Sequence, residues 1–208
     1  MNLRISKKKF IYLISPNYIY TQFYQDLKKV LNTGKVGLFQ MRLKKYSYKE
    51  KIIIGKKIKQ ICKKNDVLFL VNDDPKLSKK LNADGCHLGQ KDTKLTDARK
   101  IIGNKIIGIT CHNSIKLAKD AIKNKASYIA FGAFFSTQTK NVNHRATTKI
   151  LNKAKKLTRT PIVAIGGIDN INYKKLILNN ANFLAISSYV WNNKKYKPLE
   201  AIEKLNEN

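Results

Sequence analysis

Residues 36–71 read VGLFQMRLKKYSYKEKIIIGKKIKQICKKNDVLFLV, and this stretch contains the pattern from which the fold can be predicted. It begins with an apolar run at Val36–Arg42 and ends with a second one at Val67–Val71. Between the two runs, Ser47–Lys64 carries isoleucines at helical spacing and lysines on its other positions. Continuous apolar runs of this length are typical of strands in a parallel sheet that is covered on both faces. The stretch therefore predicts a strand–helix–strand unit.

The same alternation continues on both sides of this stretch. Eight strand–helix units in 208 residues predict an α/β protein, a compact (β/α)₈ TIM barrel that takes up residues 1–208 as a single domain. A doubly wound sheet is the structural alternative. The six further apolar runs are Phe10–Ser15, Gly85–Leu88, Ile106–Thr110, Tyr128–Phe131, Ile162–Ile165 and Phe183–Ser187. The other helix candidates are Thr21–Asn32, Pro75–Leu81, Thr93–Ile102, Ser114–Asn124, Thr148–Leu157, Tyr173–Asn179 and Leu199–Leu205.

The chain is strongly basic. Its 42 Lys and Arg residues against 13 Asp and Glu residues give a formal net charge of +29. The lysines are spread along the chain without a nucleic-acid-binding motif, so we interpret most of the charge as solvated surface and expect no specific nucleic-acid partner. No run of about 20 apolar residues is present, so no membrane span is expected. Cys62, Cys86 and Cys111 lack CxxC spacing, which favours reduced thiols and a cytoplasmic location.

Basic and amide side chains alternate where the second predicted strand ends. In a (β/α)₈ barrel the chemistry lies at the carboxyl ends of the strands. Gln40, Arg42 and Lys44 are two residues apart, so their side chains point to one side and can bind a phosphate or diphosphate together. The alternative interpretation is a basic strand end that faces solvent.

Acidic residues are scarce, yet three of them follow the third and fourth predicted strands. Asn72, Asp73 and Asp74 come after the third strand, and Asp92 comes after the fourth. Carboxylates beside a diphosphate are the ligands that Mg²⁺ needs, since proteins hold this ion by one or two carboxylates plus substrate phosphates. Taken alone, an Asn-Asp-Asp turn is more typical of a helix N-cap than of a metal site.

Hydroxyl groups and a lysine follow the fifth and sixth predicted strands. Thr110 ends the fifth strand, and Thr137, Thr139 and Lys140 lie in the long irregular segment 132–146. A loop of that length inside a compact domain is usually functional, and these side chains suit phosphate capture. His87 lies within the fourth strand, where core packing is the expected role.

Paired glycines end the seventh predicted strand. Gly166 and Gly167 let backbone amides approach a phosphate closely, although a structural turn is the alternative. Ile186 and Ser187 end the eighth strand. The loops after strands seven and eight are the usual phosphate site of this fold.

Taken in order, the motifs QxRxK, VND, ADGxHLGQxD, IGIT, TxTK, AIGGI and AIS resemble the thiamine phosphate synthase family, which includes thiazole tautomerases. The similarity runs from about Tyr12 to about Val190. It implies a transferase of thiamine biosynthesis that joins an aminopyrimidine diphosphate to a thiazole phosphate, giving thiamine phosphate and diphosphate. It also implies a dissociative, Mg²⁺-assisted mechanism in which the C–O bond breaks first.

The resemblance further implies a role for each matching residue. The pyrimidine diphosphate would contact Gln40, Arg42, Lys44, Asn72, Thr110 and Lys140. Asp73 and Asp92 would hold Mg²⁺. The thiazole phosphate would bind at Thr137, Thr139, Gly167, Ile186 and Ser187. Catalysis would rest on Arg42, Lys44, Thr110 and Lys140.

Some positions depart from the family pattern. Asp74 stands where Arg is usual, Ala133 and Ser136 replace common prolines, segment 141–148 lacks a usual glycine, and Ser188-Tyr189 replaces Ala-Ile. These departures and the net charge leave two alternatives, a thiazole tautomerase-like relative and a catalytically degenerate barrel with a binding role. Tautomerase-like relatives tend to lose the diphosphate and metal ligands, which this chain keeps. The oligomeric state stays open, a homo-oligomer included.

Overall fold

The computed structural model describes residues 9–136 and 145–205. Its eight strands form one closed parallel barrel in chain order, in which the last strand pairs with the first. The strands are β1 (Ile11–Ile14), β2 (Val36–Met41), β3 (Leu68–Asn72), β4 (Gly85–Leu88), β5 (Ile106–His112), β6 (Tyr128–Gly132), β7 (Ile162–Ile165) and β8 (Phe183–Ile186). The helices are α1 (Phe23–Asn32), α2 (Tyr48–Lys64), α3 (Pro75–Lys80), α4 (Leu95–Ile102), α5 (Ile115–Lys123), α6 (Thr148–Leu157), α7 (Tyr173–Leu178), α8 (Ser188–Trp191) and α9 (Pro198–Glu203). The predicted TIM barrel is confirmed, and the β1–β8 pairing excludes the doubly wound alternative.

The strands divide the hydrophobic residues into two cores. Alternate side chains of each strand fill the barrel interior, while the others pack beneath the helices. On β2, for example, Leu38 belongs to the inner core and Phe39 to the outer one. Both sides of the sheet are therefore buried, which is why the strands read as continuous apolar runs. The inner core consists of Tyr12, Ile14, Leu38, Leu70, Ile106, Tyr128, Ala130, Val163, Phe183 and Ala185.

The start of α2 is a complete capping box. The Ser47 hydroxyl accepts a hydrogen bond from the Glu50 N–H at 3.3 Å, and the Glu50 carboxylate accepts one from the Ser47 N–H at 2.8 Å. These two contacts satisfy backbone donors that the helix itself leaves unpaired. Ser114 likewise caps α5 through the Leu117 N–H at 3.2 Å.

Replacing Ser47 with Ala is expected to lower the free energy of unfolding by about 1 kcal/mol, because the first turn of α2 loses its side-chain acceptor. Chemical denaturation measures this difference. Thr147→Ala is the matched control, since Thr147 holds the N-cap position of α6 without a side-chain capping bond in the described part of the chain. Equal losses for the two variants would contradict the capping assignment.

Two elements differ from the sequence prediction. The four-residue helix α8 was not predicted, because one turn is too short to show a hydrophobic period. Strand β5 continues past Thr110 to His112, with a register shift in which Thr110 pairs with Ala130 and His112 with Phe131. The extra residue is a β-bulge, a feature that often lies next to functional sites.

None of the helices within residues 9–136 and 145–205 is long and apolar enough to cross a membrane.

Candidate active site

Two carboxylates meet at the carboxyl ends of β3 and β4. Asp73 follows β3 in the left-handed region at φ 62°, and its N–H donates to the His87 carbonyl at 2.8 Å. Asp92 lies in the loop after β4, where its carboxylate accepts from the Gly89 N–H at 2.7 Å. The side chains of Asp73 and Asp92 share a hydrogen bond. The loops after β3 and β4 thus bring together two of the 13 acidic residues of the chain.

Lys44 joins this pair from the end of β2. Its ammonium lies 3.2 Å from Asp73 Oδ2. Burial acts to raise the pKa of Asp73, but the hydrogen bond from Asp92, the charge of Lys44 and a hydrogen bond from Asn72 outweigh it, so the pKa is lowered. Burial and the neighbouring Asp73 raise the pKa of Asp92. Asp73 is therefore the more acidic carboxyl, and a cation between the two would displace a shared proton.

Asp74 has a separate, structural role. Its side chain accepts from the Leu77 N–H at 2.9 Å, and Pro75 occupies the first turn of α3. The N-cap interpretation of the Asn-Asp-Asp turn is therefore correct for Asp74, while Asp73 remains available for the site. This capping bond gives Asp74, which stands where Arg is usual in the family pattern, a structural role at the start of α3.

Arg42 is tied to the end of β1. Its N–H donates to the Ser15 hydroxyl at 2.9 Å, and its guanidinium donates to Asn17 Oδ1 at 3.3 Å. Ser187, which follows β8, donates from its hydroxyl to the Ser15 carbonyl at 3.1 Å. Ser15 thus connects two predicted phosphate-binding positions, Arg42 and Ser187, across the seam where the barrel closes.

Gln40 and Thr110 are joined to buried groups inside the barrel. Gln40 is 2% exposed and donates to the Tyr12 hydroxyl. The Thr110 hydroxyl is 2.8 Å from His87 Nε2, and His87 Nδ1 is 2.8 Å from the Tyr128 hydroxyl. His87 is therefore not merely packed in the core, as the sequence suggested, because both ring nitrogens make hydrogen bonds.

The paired glycines at the end of β7 support the chain that follows β6. Gly166 and Gly167 have φ values of 105° and 63°. The Gly166 carbonyl accepts from the Phe135 N–H at 3.0 Å, and a Cβ on Gly167 would overlap the Ser136 carbonyl oxygen. Both positions therefore require glycine. The paired glycines form a structural turn, and this role is compatible with a phosphate contact.

Of the remaining predicted residues, two lie within the described part of the chain and three lie outside it. Ile186 is buried at the end of β8, and Ser187 is half-buried at the start of α8. Arg145 donates to the Ser136 hydroxyl at 2.9 Å and so links the two ends of the predicted loop. Thr137, Thr139 and Lys140, together with positions 141–144 of the altered segment, lie outside the described residues.

Asp73 and Asp92, which follow β3 and β4, suit a metal ion only together with a ligand that completes its coordination. Within residues 9–136 and 145–205 no cluster of three or more His, Cys, Asp or Glu side chains is placed to hold an ion. A pair of carboxylates is what Mg²⁺ uses when substrate phosphates complete its coordination. Asp73 and Asp92 therefore fit a phosphate-bound Mg²⁺ and do not fit a closed structural metal site.

Sequence reasoning missed Tyr12, Tyr128 and Ser15. The two tyrosines occupy inward positions of β1 and β6, so the alternation of each strand was a usable signal for them. Ser15 gave no such signal, because its hydrogen bonds depend on how the strand ends meet in space.

Comparisons with known proteins agree with this fold. The family model described as thiamine monophosphate synthase matches residues 11–190. A thiamine-phosphate synthase of Pelagibacter ubique is 66% identical, covering 95% of this chain and 96% of that protein. Another, of Erythrobacter litoralis, is 39% identical over 92% of each protein. The solved structure of a thiamine phosphate pyrophosphorylase of Pyrococcus furiosus has a TM-score of 0.84 at 28% identity, covering 95% of this chain and 94% of that one.

Proposed function

The chain belongs to the thiamine monophosphate synthase family, and we propose that it joins an aminopyrimidine diphosphate to a thiazole phosphate, releasing diphosphate and forming thiamine phosphate. It is a transferase. The observation that supports this site best is the meeting of Asp73, Asp92 and Lys44 at adjacent strand ends. Two carboxylates and an ammonium together suit a diphosphate that arrives with its metal ion.

Asp73 and Asp92 would hold Mg²⁺ together with oxygens of the substrate diphosphate. When bound, Mg²⁺ supplies positive charge that stabilises the departing diphosphate. Their shared hydrogen bond supports this assignment, because two carboxyl groups that touch each other are stabilised by a cation between them. Lys44 keeps Asp73 ionised and therefore ready for the metal.

The chain's own cations would stabilise the leaving group. The C–O bond of the pyrimidine diphosphate breaks with both electrons going to the diphosphate, and a cation delocalised over the aminopyrimidine remains. The thiazole nitrogen then donates its electron pair to that carbon. Arg42, Lys44 and Lys140 would neutralise the negative charge as it develops, with Arg42 placed by Ser15 and Asn17.

The first substrate would be oriented by amide and hydroxyl groups. Gln40, Asn72 and Thr110 all lie at or just before the ends of their strands, and we assign them to the pyrimidine or its diphosphate. This reaction needs no nucleophilic side chain or general base. Its rate depends on orientation and on charge stabilisation, which these fixed side chains provide.

The second substrate would bind on the opposite side of the rim. Gly167, Ile186 and Ser187 lie at the ends of β7 and β8, and we assign them to the thiazole phosphate together with Thr137 and Thr139. This is the usual phosphate position of the fold. Ser15 bonds to both Arg42 and Ser187, so it would set the distance between the two substrate phosphates.

We also propose that residues 1–208 act as one domain in the cytoplasm, with small-molecule substrates and no specific nucleic-acid partner. The free, buried Cys62, Cys86 and Cys111 support a reducing compartment. The lysines along the whole chain support a solvated surface charge.

The direct test is to incubate the purified protein with both substrates and Mg²⁺. Thiamine phosphate and diphosphate are expected in equal amounts, and chelation of the metal should stop their formation. Folded protein that forms neither product would contradict the proposal. Isomerisation of the thiazole phosphate without Mg²⁺ would instead favour the tautomerase-like alternative.

A further inference from the structure

Five polar side chains form a continuous hydrogen-bonded chain through the barrel, which we call the interior relay. It runs from Gln40 to Tyr12, Tyr128, His87 and Thr110. The two tyrosine hydroxyls are 2.7 Å apart. Its two ends are residues already assigned to the pyrimidine or its diphosphate, so the relay connects two proposed substrate contacts that come from β2 and β5.

The barrel is built to admit this relay. Tyr12 and Tyr128 are almost fully buried, and His87 is 8% exposed. A Cβ on Gly108 would overlap the ring and hydroxyl of Tyr128, so the absence of a side chain on β5 makes room for that phenol. Buried polar groups are costly unless each is paired. The relay is therefore a specific arrangement in an otherwise apolar interior.

The relay also has a direction. Burial raises the pKa of both Tyr12 and Tyr128, so both phenols stay protonated and each has one hydrogen to donate. Tyr12 accepts from the Gln40 amide, which leaves its own hydrogen for Tyr128. Tyr128 then donates to His87 Nδ1, and His87 donates from Nε2 to Thr110. The Gln40 nitrogen is the donor to Tyr12, and with that start this is the one assignment among the five groups that gives every hydrogen between Gln40 and Thr110 an acceptor.

This direction determines what the two ends offer a substrate. One hydrogen of the Gln40 amide nitrogen is engaged with Tyr12, which fixes the orientation of the amide and leaves its carbonyl oxygen as the acceptor at this end. The Thr110 oxygen is engaged with His87, so its hydrogen is left to donate. An aminopyrimidine carries the complementary pair, an amino group that donates and a ring nitrogen that accepts.

We propose that Tyr12, Tyr128 and His87 are positioning residues that set Gln40 as an acceptor and Thr110 as a donor for the aminopyrimidine. This inference rests on the proposed function and deepens it. None of the three residues needs to touch the reacting atoms. Their effect would pass through Gln40 and Thr110, and it would favour an aminopyrimidine over an analogue with the donor and acceptor exchanged.

The test is Tyr128→Phe, which removes the central hydroxyl and keeps the ring. We expect kcat/KM for the pyrimidine diphosphate to fall about tenfold, as for loss of a buried hydrogen bond, while KM for the thiazole phosphate changes less than about twofold. Nitrogen NMR of the three histidines should show His87 with its hydrogen on Nε2 in the unmodified protein and a mixture of tautomers in the variant.

Tyr189→Phe is the matched control. The Tyr189 hydroxyl is buried and has no hydrogen-bond partner among the described residues, so its removal should leave the kinetics and the His87 tautomer unchanged. If Tyr128→Phe does not fold, Tyr12→Phe breaks the relay one link earlier and should give the same pattern.

Unchanged pyrimidine kinetics and an unchanged tautomer in a folded Tyr128→Phe or Tyr12→Phe variant would overturn the inference. A KM for the thiazole phosphate that rises as much as the KM for the pyrimidine diphosphate would also overturn the inference, because it would indicate general damage to the barrel. If the unmodified protein makes no thiamine phosphate, the proposed function fails by itself, and the His87 tautomer still reports whether the relay has the stated direction.

Discussion

The variant Asp73→Asn is expected to lose at least about 100-fold in Mg²⁺-dependent formation of thiamine phosphate while it keeps its fold. The substitution removes one of two proposed metal ligands, and a bound ion contributes several kcal/mol of charge stabilisation. Asn retains the size of Asp and tolerates the left-handed backbone at φ 62°, whereas Ala at this position would add strain. Steady-state rates over a range of Mg²⁺ concentrations measure the loss.

Asp66→Asn is the matched control for this experiment. Asp66 also has a positive φ, 52°, but it lies before β3, at the opposite end of that strand from Asp73. Its carboxylate is exposed and pairs with Lys9 at 2.7 Å, a contact of small energetic value. The control should keep full activity. An Asp73→Asn enzyme with an unaltered rate and Mg²⁺ dependence would show that the metal assignment is wrong.

The variant Arg42→Gln is expected to lower kcat by about 100- to 1,000-fold, the effect of removing a charged donor from a developing anion. Arg42 follows β2. Ser15 holds its backbone N–H and Asn17 accepts from its guanidinium at 3.3 Å, so the side chain already has a partner at the end of β1. Loss of the guanidinium should weaken stabilisation of the departing diphosphate more than binding of the thiazole phosphate. Rates measured with each substrate varied in turn separate the two effects.

Arg159→Gln controls for the loss of one positive charge. Arg159 is exposed between α6 and β7, at the amino end of that strand, and its replacement changes the net charge of +29 by the same amount. If both variants lost activity equally, the loss would come from the change in the protein's net positive charge and not from the position of Arg42. If neither lost activity, Arg42 would have no role in the transfer.

The fold was predictable because each strand is buried on both sides. Such strands leave continuous apolar runs in the sequence, and the eight runs matched the eight strands to within one or two residues at their ends. The short α8 escaped prediction, because one helical turn carries no period. The bulge after Thr110 escaped as well, since it depends on pairing between β5 and β6.

The site was predictable where the chemistry sits at strand ends. The order of the strands places the loops after β3 and β4 side by side, so sequence alone brought Asp73 near Asp92. The strand-end pattern alone did not separate Asp73 from Asp74, because the helix cap is identified by which side chain reaches the Leu77 N–H. The family resemblance assigned Asp73, and not Asp74, to the metal. Sequence alone also assigned His87 to packing, since its partner Tyr128 is 41 residues away in the chain.

The candidate site depends on the pairing of β8 with β1, the last and the first strands of the barrel. Ser187, which follows the last strand, donates to the Ser15 carbonyl, and Trp191 donates from Nε1 to the Ile14 carbonyl at 2.7 Å. The two proposed phosphate positions, at Arg42 and Ser187, therefore acquire their separation only after the final strand has been synthesised and has docked. Trp191 is the one tryptophan of the chain, so it is a built-in optical marker of that closing step.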